Sequence, residues 1–254
     1  MRKLNKILNV ITVILLTVFI IVVAVSGIWL WKILHKYHEG DSFYQSVEQH
    51  SVKPPVNEPE DKDGCPITVD FTALLQQNPD VVGWIYCDGT RINYPVVKGK
   101  DNEQYLYHLI SGEYNSAGSI FMDSQNDPDL NDLNTVLHGH HMKNGTMFAA
   151  LHFYTSQAFY DEHPVMWYLT PQHTYRLILI AGYVSHEDDP VYTLFQDRET
   201  LDSYLQYSMS RSNFAAIDIP ADIDRIMALS TCTYERDNGR YVLIGVPVLD
   251  DNAE

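Results

Sequence analysis

The sequence predicts a mainly β exterior domain, a barrel or sandwich with helical decorations, carried behind one N-terminal span. Three observations lead there. Residues 7–31 contain no charge. Beyond residue 67, short apolar runs alternate with Gly, Pro, Asn and Asp turn residues, as in folds of short strands. Only one later stretch, around Leu201, Tyr204, Leu205 and Met209, repeats its apolar residues at clear helical spacing.

The span comes first. Twenty-five helical residues from Ile7 to Trp31 reach roughly 37 Å, enough for a hydrocarbon core of ~30 Å. Arg2, Lys3 and Lys6 precede it, so the positive-inside rule leaves residues 1–6 as a cytoplasmic tail and the rest outside. A cleaved signal peptide with Ala24-Val25-Ser26 at its end is the competing reading. The apolar run continues past that site through Ile28, Trp29, Leu30 and Trp31, which favours a retained anchor over residues 7–31.

Charge divides at the same boundary. Five of the 17 Lys and Arg lie in the first 38 residues, which hold no acid. The remaining 12 face all 33 Asp and Glu, a formal net of −21. Such a domain lacks the basic patches that nucleic acid requires. The three cysteines, Cys65, Cys87 and Cys232, are an odd number, so at least one thiol is free or paired between molecules. Cys65 and Cys87 could pair, but nothing here resembles a disulfide framework, and no structural bridge is expected.

Residues 32–66 read as a stalk, with a short helix over Ser42–His50 and a segment, Val52-Lys53-Pro54-Pro55-Val56-Asn57-Glu58-Pro59, that cannot continue it. The folded domain is expected over 67–254. Asp70 can cap a helix over Phe71–Gln77 that stops at Asn78-Pro79. Strands are expected at Val81–Cys87, then, after an Asp88-Gly89 turn, at Ile92–Val97. Further strands are expected at Ser119–Met122, Asn134–His140, Tyr175–Val184, Ile226–Cys232 and Arg240–Val248. Asp197 or Thr200 can cap the helix near residues 200–210.

Cys232 anchors the chemistry. Alternation puts Ile226, Ala228, Ser230 and Cys232 on one face, and the small residues at 228 and 230 would leave a groove to the sulfur. A free Cys is also commonly a small buried hydrophobe. Asp237-Asn238-Gly239 is hairpin-turn chemistry, so antiparallel strands would return Arg240 to Cys232. A guanidinium there can stabilise a thiolate or a developing oxyanion; equally, an Arg at a strand start is common on surfaces. His140 is the candidate acid or base, though His138 and His141 fit the spacing as well. A metal on His138 and His140, completed by His152 or Asp123, is the competing reading, but no supporting paired-ligand motif follows.

These residues resemble a family. Asn78-Pro79-Asp80-Val81-Val82-Gly83-Trp84-Ile85, Ile92-Asn93-Tyr94-Pro95-Val96-Val97-Lys98-Gly99 and Ser116-Ala117-Gly118-Ser119-Ile120-Phe121-Met122-Asp123 are similar to class B sortase segments. So are His138-Gly139-His140-His141-Met142 and Leu229-Ser230-Thr231-Cys232, in the same order. The resemblance implies an eight-stranded sortase β-barrel with N-terminal helices and an extra helix before the cysteine strand. It implies a nucleophile at Cys232, a general acid/base at His140 and an oxyanion clamp at Arg240. It also implies a sorting-signal groove lined by Asn93, Val97 and Ser230, with Tyr192 on a flexible wall. Two positions depart from the family pattern: Ala228 replaces a Thr, and His138 stands where an aromatic is usual.

The implied activity is cysteine transpeptidation. A sorting motif of Asn-Pro-x-Thr-x type is cleaved after Thr and passed through a thioacyl enzyme to a cell-wall amine, with no cofactor. Partners would be surface proteins bearing that motif, a peptidoglycan precursor or cross-bridge amine, and the membrane; nucleic acid is not expected. The acidic stretch Asp123–Asp132 could mimic a calcium site known in another sortase class, though it reads more simply as a solvated loop. A hydrolytic cysteine peptidase and a non-catalytic exterior binding module on the same fold are the alternatives.

Overall fold

The computed structural model describes residues 2–54, 64–233 and 238–250. The expected stalk segment 55–63 and the turn residue Asp237 lie outside them. The chain divides into two compact units, Met1–Glu39 and Gly40–Glu254.

The first unit is helical and belongs to helix α1 (Arg2–Ser51). Its apolar side chains, among them Leu15, Phe19 and Ile20, are exposed. Length and apolar composition suit a membrane anchor.

The second unit begins earlier than the sequence suggested. The expected helix over 42–50 is the end of α1, and Gly40–Ser51 packs on the β domain instead of forming a stalk. Tyr44 and Val47 are buried. The Tyr44 hydroxyl lies 2.8 Å from both the Gly118 carbonyl and Ser119 Oγ, and its ring meets Tyr94 edge-on. Aromatic burial outweighs the polar character that made this stretch read as a spacer. Strand β1 (Val52–Lys53) then pairs with β2 (Thr68–Val69), tying the chain down on both sides of 55–63.

Helix α2 (Phe71–Gln77) forms where its cap predicts, with Asp70 accepting from the Ala73 N–H. Eight strands follow: β3 (Val81–Tyr86), β4 (Asn93–Val97), β5 (Ile120–Met122), β6 (Asn134–His138), β7 (Val165–Leu169), β8 (Thr174–His186), β9 (Ile226–Cys232) and β10 (Gly239–Leu249). They close into a barrel in the order β10-β8-β7-β3-β4-β5-β6-β9. All neighbours are antiparallel except β4 with β5 and β6 with β9, which are parallel and need long crossovers.

Seven of these strands lie where alternation and turn residues predict. The eighth, β7, was missed. Val165-Met166-Trp167-Tyr168-Leu169 is a short apolar run without alternation, a pattern that does not separate strand from loop or helix. Two short α-helices complete the unit: α3 (Gln157–Glu162) and α4 (Arg198–Arg211), the latter capped by Asp197 through the Thr200 N–H.

Helix α4 covers one outer face of the barrel. Leu201, Tyr204 and Leu205 join Val136, Ile226, Ala228, Val242 and Ile244 in one apolar cluster. Ala228 is therefore fully covered, and the groove expected along 228 and 230 does not run past it. The Ala in place of Thr is a packing residue beneath α4.

Candidate active site

Cys232 is the last residue of β9, and its sulfur belongs to the one exposed cysteine among the three. Cys65 is half-buried and Cys87 buried, and all three are unbridged. Burial pushes the Cys65 thiol up to about 12 and the Cys87 thiol up to about 11, so both stay protonated at neutral pH.

Arg240 is the cross-strand partner of Cys232, as the hairpin reading predicted. The two Cβ atoms of such a pair lie on one face about 5 Å apart. Arg240 Nη2 lies 3.9 Å from Glu187 Oε2, and Nη1 donates to the Gly239 carbonyl. Its guanidinium is thus held at the strand end, with Glu187 its carboxylate contact among the described residues.

His140 approaches from β6. That strand runs parallel to β9 with His138 opposite Ser230. The pairing continues past its end: the Gly139 N–H donates to the Ser230 carbonyl, and Thr231 Oγ1 donates to the Gly139 carbonyl. His140 follows directly on this contact, as Cys232 follows Thr231. Gly139 is required there, because a Cβ would meet Ile120 Cδ1 at 2.5 Å and Phe148 Cδ2 at 2.7 Å.

The three histidines have different partners. His138 Nε2 lies 3.0 Å from Asp123 Oδ2. His141 Nδ1 donates to the Cys232 carbonyl at 2.9 Å. His140 Nε2 donates to the Leu106 carbonyl at 2.7 Å, and its ring packs on Tyr107 at 5.4 Å. Since a carbonyl only accepts, the proton of neutral His140 sits on Nε2 and its Nδ1 keeps a lone pair. Burial holds His140 below the ordinary imidazole value, partly offset by the Leu106 bond. A metal shared by His138 and His140 finds no support, since among the described residues no three His, Cys, Asp or Glu cluster suitably. The acidic loop after β5 instead bonds to itself: Asp132 Oδ2 accepts from Asn126 Nδ2 and from the Asp127 N–H.

Two of the expected groove residues, Val97 and Ser230, lie along one lateral row. Val97 pairs with Phe121, Phe121 with His138, and His138 with Ser230, so the four share a face. Val97 has no exposed surface and shapes this face from beneath rather than as open lining. Ser230 is only 3% exposed because Tyr192 covers it, with the two hydroxyl oxygens 2.6 Å apart. Burial pushes the Tyr192 phenol up to about 12, with Ser230 and Arg240 pulling it down and Asp189 and Cys232 pushing it up. Asn93 sits at the far end of β4, where Oδ1 accepts from Trp84 Nε1 at 2.6 Å.

The wall that carries Tyr192 is pinned at both ends. Buried Asp189 gathers the hydroxyls of Tyr183, Tyr204, Tyr207 and Ser185 and caps the short 3-10 helix Pro190–Tyr192. Asn134 Nδ2 donates to the carbonyls of Val191 and Thr193. The sequence reading missed Asp189, which looks like one more acid in His186-Glu187-Asp188-Asp189. It also knew Asp123 only as a possible metal ligand.

Taken together, the site offers an exposed thiol with a cross-strand guanidinium, and a histidine just beyond the β6–β9 contact, beside a hydroxyl-lined wall. A sortase domain family model matches residues 85–248. The chain is 37% identical over 175 residues to sortase B of Listeria monocytogenes, covering 68% of this chain and 71% of that protein. It is 35% identical over 178 residues to sortase B of Staphylococcus aureus, covering 68% and 72%. A crystal structure of sortase B from Bacillus anthracis superposes with a TM-score of 0.72 at 32% identity, covering 86% of this chain and all of that one.

Proposed function

The chain belongs to the class B sortases, cysteine transpeptidases that anchor surface proteins, and on that premise we propose how its residues divide the chemistry. Cys232 is the nucleophile, Arg240 the oxyanion clamp and His140 the general acid/base. The observation that carries this reading is the cross-strand pairing of Cys232 with Arg240.

The reaction runs in two halves. Cys232 passes its thiol proton to His140 Nδ1 as Sγ attacks the Thr carbonyl of a sorting motif of Asn-Pro-x-Thr-x type, and Arg240 offers N–H donors to the oxygen as its charge develops. The C–N bond breaks as His140 Nδ1 delivers a proton to the leaving amine, giving a thioacyl enzyme and a released peptide. A cell-wall amine then attacks the thioester, and Nδ1 takes its proton as the C–S bond breaks and the thiolate is restored. The Nε2–Leu106 bond supports this assignment, because it holds the ring while leaving Nδ1 for proton transfer. Asn93 and Ser230 with Tyr192 contact the motif, and Val97 backs the groove.

The apolar helix is the anchor, spanning over 7–31 with Arg2, Lys3 and Lys6 inside and the catalytic unit outside. The test is full-length protein in detergent with a fluorogenic Asn-Pro-Gln-Thr-Asn peptide, with and without an amine acceptor, beside Cys232→Ala. Cleavage after Thr that needs Cys232 and yields acceptor-linked product is expected. Free acid alone, acceptor present, would make this protein a hydrolase.

A further inference from the structure

Asp123 and His138, which the chemistry above does not use, join Tyr192 and Ser230 in a chain of contacts beside the thiol. Buried Asp123 is a fixed post: Oδ1 accepts from the Gln125 N–H at 3.0 Å, and Oδ2 accepts from Asn102 Nδ2 at 2.8 Å. His138 Nε2 bonds to that Oδ2 at 3.0 Å, and both side chains are largely buried, at 7% and 21% exposure. This bond fixes the rotation of the imidazole about its last torsion. The ring is stacked between Phe121, at 5.1 Å and 29°, and Tyr192, at 5.9 Å and 21°. The Tyr192 hydroxyl in turn meets Ser230 Oγ, two residues before Cys232.

We propose that His138, held by Asp123, is a positioning residue for the sorting-signal groove: it sets Tyr192 on Ser230 and so fixes the wall beside the reactive sulfur. The inference rests on the transpeptidase reading for its substrate, but not for its geometry. Three physical points carry it. Register places Phe121, His138 and Ser230 on one face, so the stack is built into the sheet. A carboxylate bonded to three donors does not follow a drifting ring; the ring follows it. Tyr192 comes from a different segment, the 3-10 helix after β8; Asn134 of β6 holds the backbone on either side of it, and the stack on His138 is the contact that β6 makes with the Tyr192 ring. An aromatic without the imidazole nitrogen would keep the stack but lose its rotational lock. The role is in binding: Tyr192 shapes where the peptide lies, whereas Arg240 and His140 act on the reacting atoms.

The test compares His138→Ala, which removes stack and lock, with His138→Phe, which keeps the stack, in full-length protein in detergent. With the Asn-Pro-Gln-Thr-Asn peptide, His138→Ala is expected to raise KM about tenfold with kcat within about twofold, and His138→Phe to recover most of that KM. A KM equal to wild type in His138→Ala, or a fall in kcat that matches the fall in kcat/KM, overturns the proposal. A second readout needs no substrate: the rate at which a bulky maleimide labels Cys232, followed by mass spectrometry at that residue. His138→Ala is expected to label at least fivefold faster than wild type and His138→Phe not, because an undocked Tyr192 uncovers the approach to sulfur. Equal labelling rates overturn it. Should wild-type protein leave the peptide uncut, the assumed motif fails and the labelling comparison alone decides the positioning role.

Discussion

His140 donates through Nε2 to the carbonyl of Leu106, 34 positions earlier in the chain. That bond fixes the tautomer, while burial disfavours the imidazolium. At this ring the folded protein binds a proton less readily than the unfolded chain. Stability contributed here is therefore present above the ordinary imidazole value of ~6.5 and is lost as pH falls through the lower folded value.

The first prediction uses Tyr107, whose ring shields that imidazole. Tyr107→Ala should hydrate His140, and the acid limb of the kcat/KM profile should move to higher pH. His140→Ala should lower kcat by roughly 10²–10⁴. An acid limb that stays in place in Tyr107→Ala would disconnect it from His140.

Arg240 is predicted to act through its fork of donors. Arg240→Ala should lower kcat/KM by about 10²–10³, and Arg240→Lys should recover little of it, because a point charge does not reproduce paired N–H donors. Glu187 lies 3.9 Å away and is half exposed, so Glu187→Gln should change stability by less than about 1 kcal/mol. Steady-state kinetics and urea unfolding read the two effects.

Gly139→Ala should damage activity out of proportion to stability. The new methyl collides with Ile120 and Phe148, a strain of about 1–3 kcal/mol relieved by shifting the backbone that carries His140. The expected result is a folded protein, by circular dichroism, with turnover reduced at least tenfold. Wild-type turnover would show that the site tolerates that shift.

Asp189 is predicted to be the structural root of the groove wall. Asp189→Ala leaves the buried hydroxyls of Tyr183 and Tyr204 without their carboxylate partner, at a cost on the order of 3 kcal/mol. Denaturant unfolding should show that loss, and KM for the peptide should rise as the Pro190–Tyr192 segment loosens. An unfolding midpoint equal to wild type would contradict the assignment.

Asp123 supplies a pH signature. Burial alone would raise its carboxyl, but hydrogen bonds from His138, Gln125 and Asn102 bring it down to about 2 from the model-peptide 3.8. A depressed folded value means stability that is full above about 3.8 and disappears as pH falls toward 2, worth about 2 kcal/mol. Wild-type and Asp123→Asn proteins should therefore differ in urea midpoint at pH 5 and converge near pH 2. Parallel curves through that range would refute the linkage.

What the sequence by itself determined is what neighbours in the chain can specify. The uncharged stretch 7–31 marked an apolar helix, Asp70 and Asp197 marked helix starts, and turn residues marked seven of eight strands. Asp237-Asn238-Gly239 predicted the antiparallel return of Arg240 to Cys232, because a short connection with turn residues favours a hairpin pairing. Only the tertiary structure distinguishes the surroundings of His138, His140 and His141. Their hydrogen-bond partners are Asp123, Leu106 and the Cys232 carbonyl, which the chain beyond β5, a loop and β9 deliver from elsewhere. The parallel contact of β6 with β9 joins Gly139 to Thr231 across 92 positions, and no local pattern encodes such a crossover. The same holds for Gly40–Ser51, polar in sequence yet seated through Tyr44 on residues 74 and 75 positions away. Side-chain alternation names the residues that share a face; the closure of the barrel decides what that face meets.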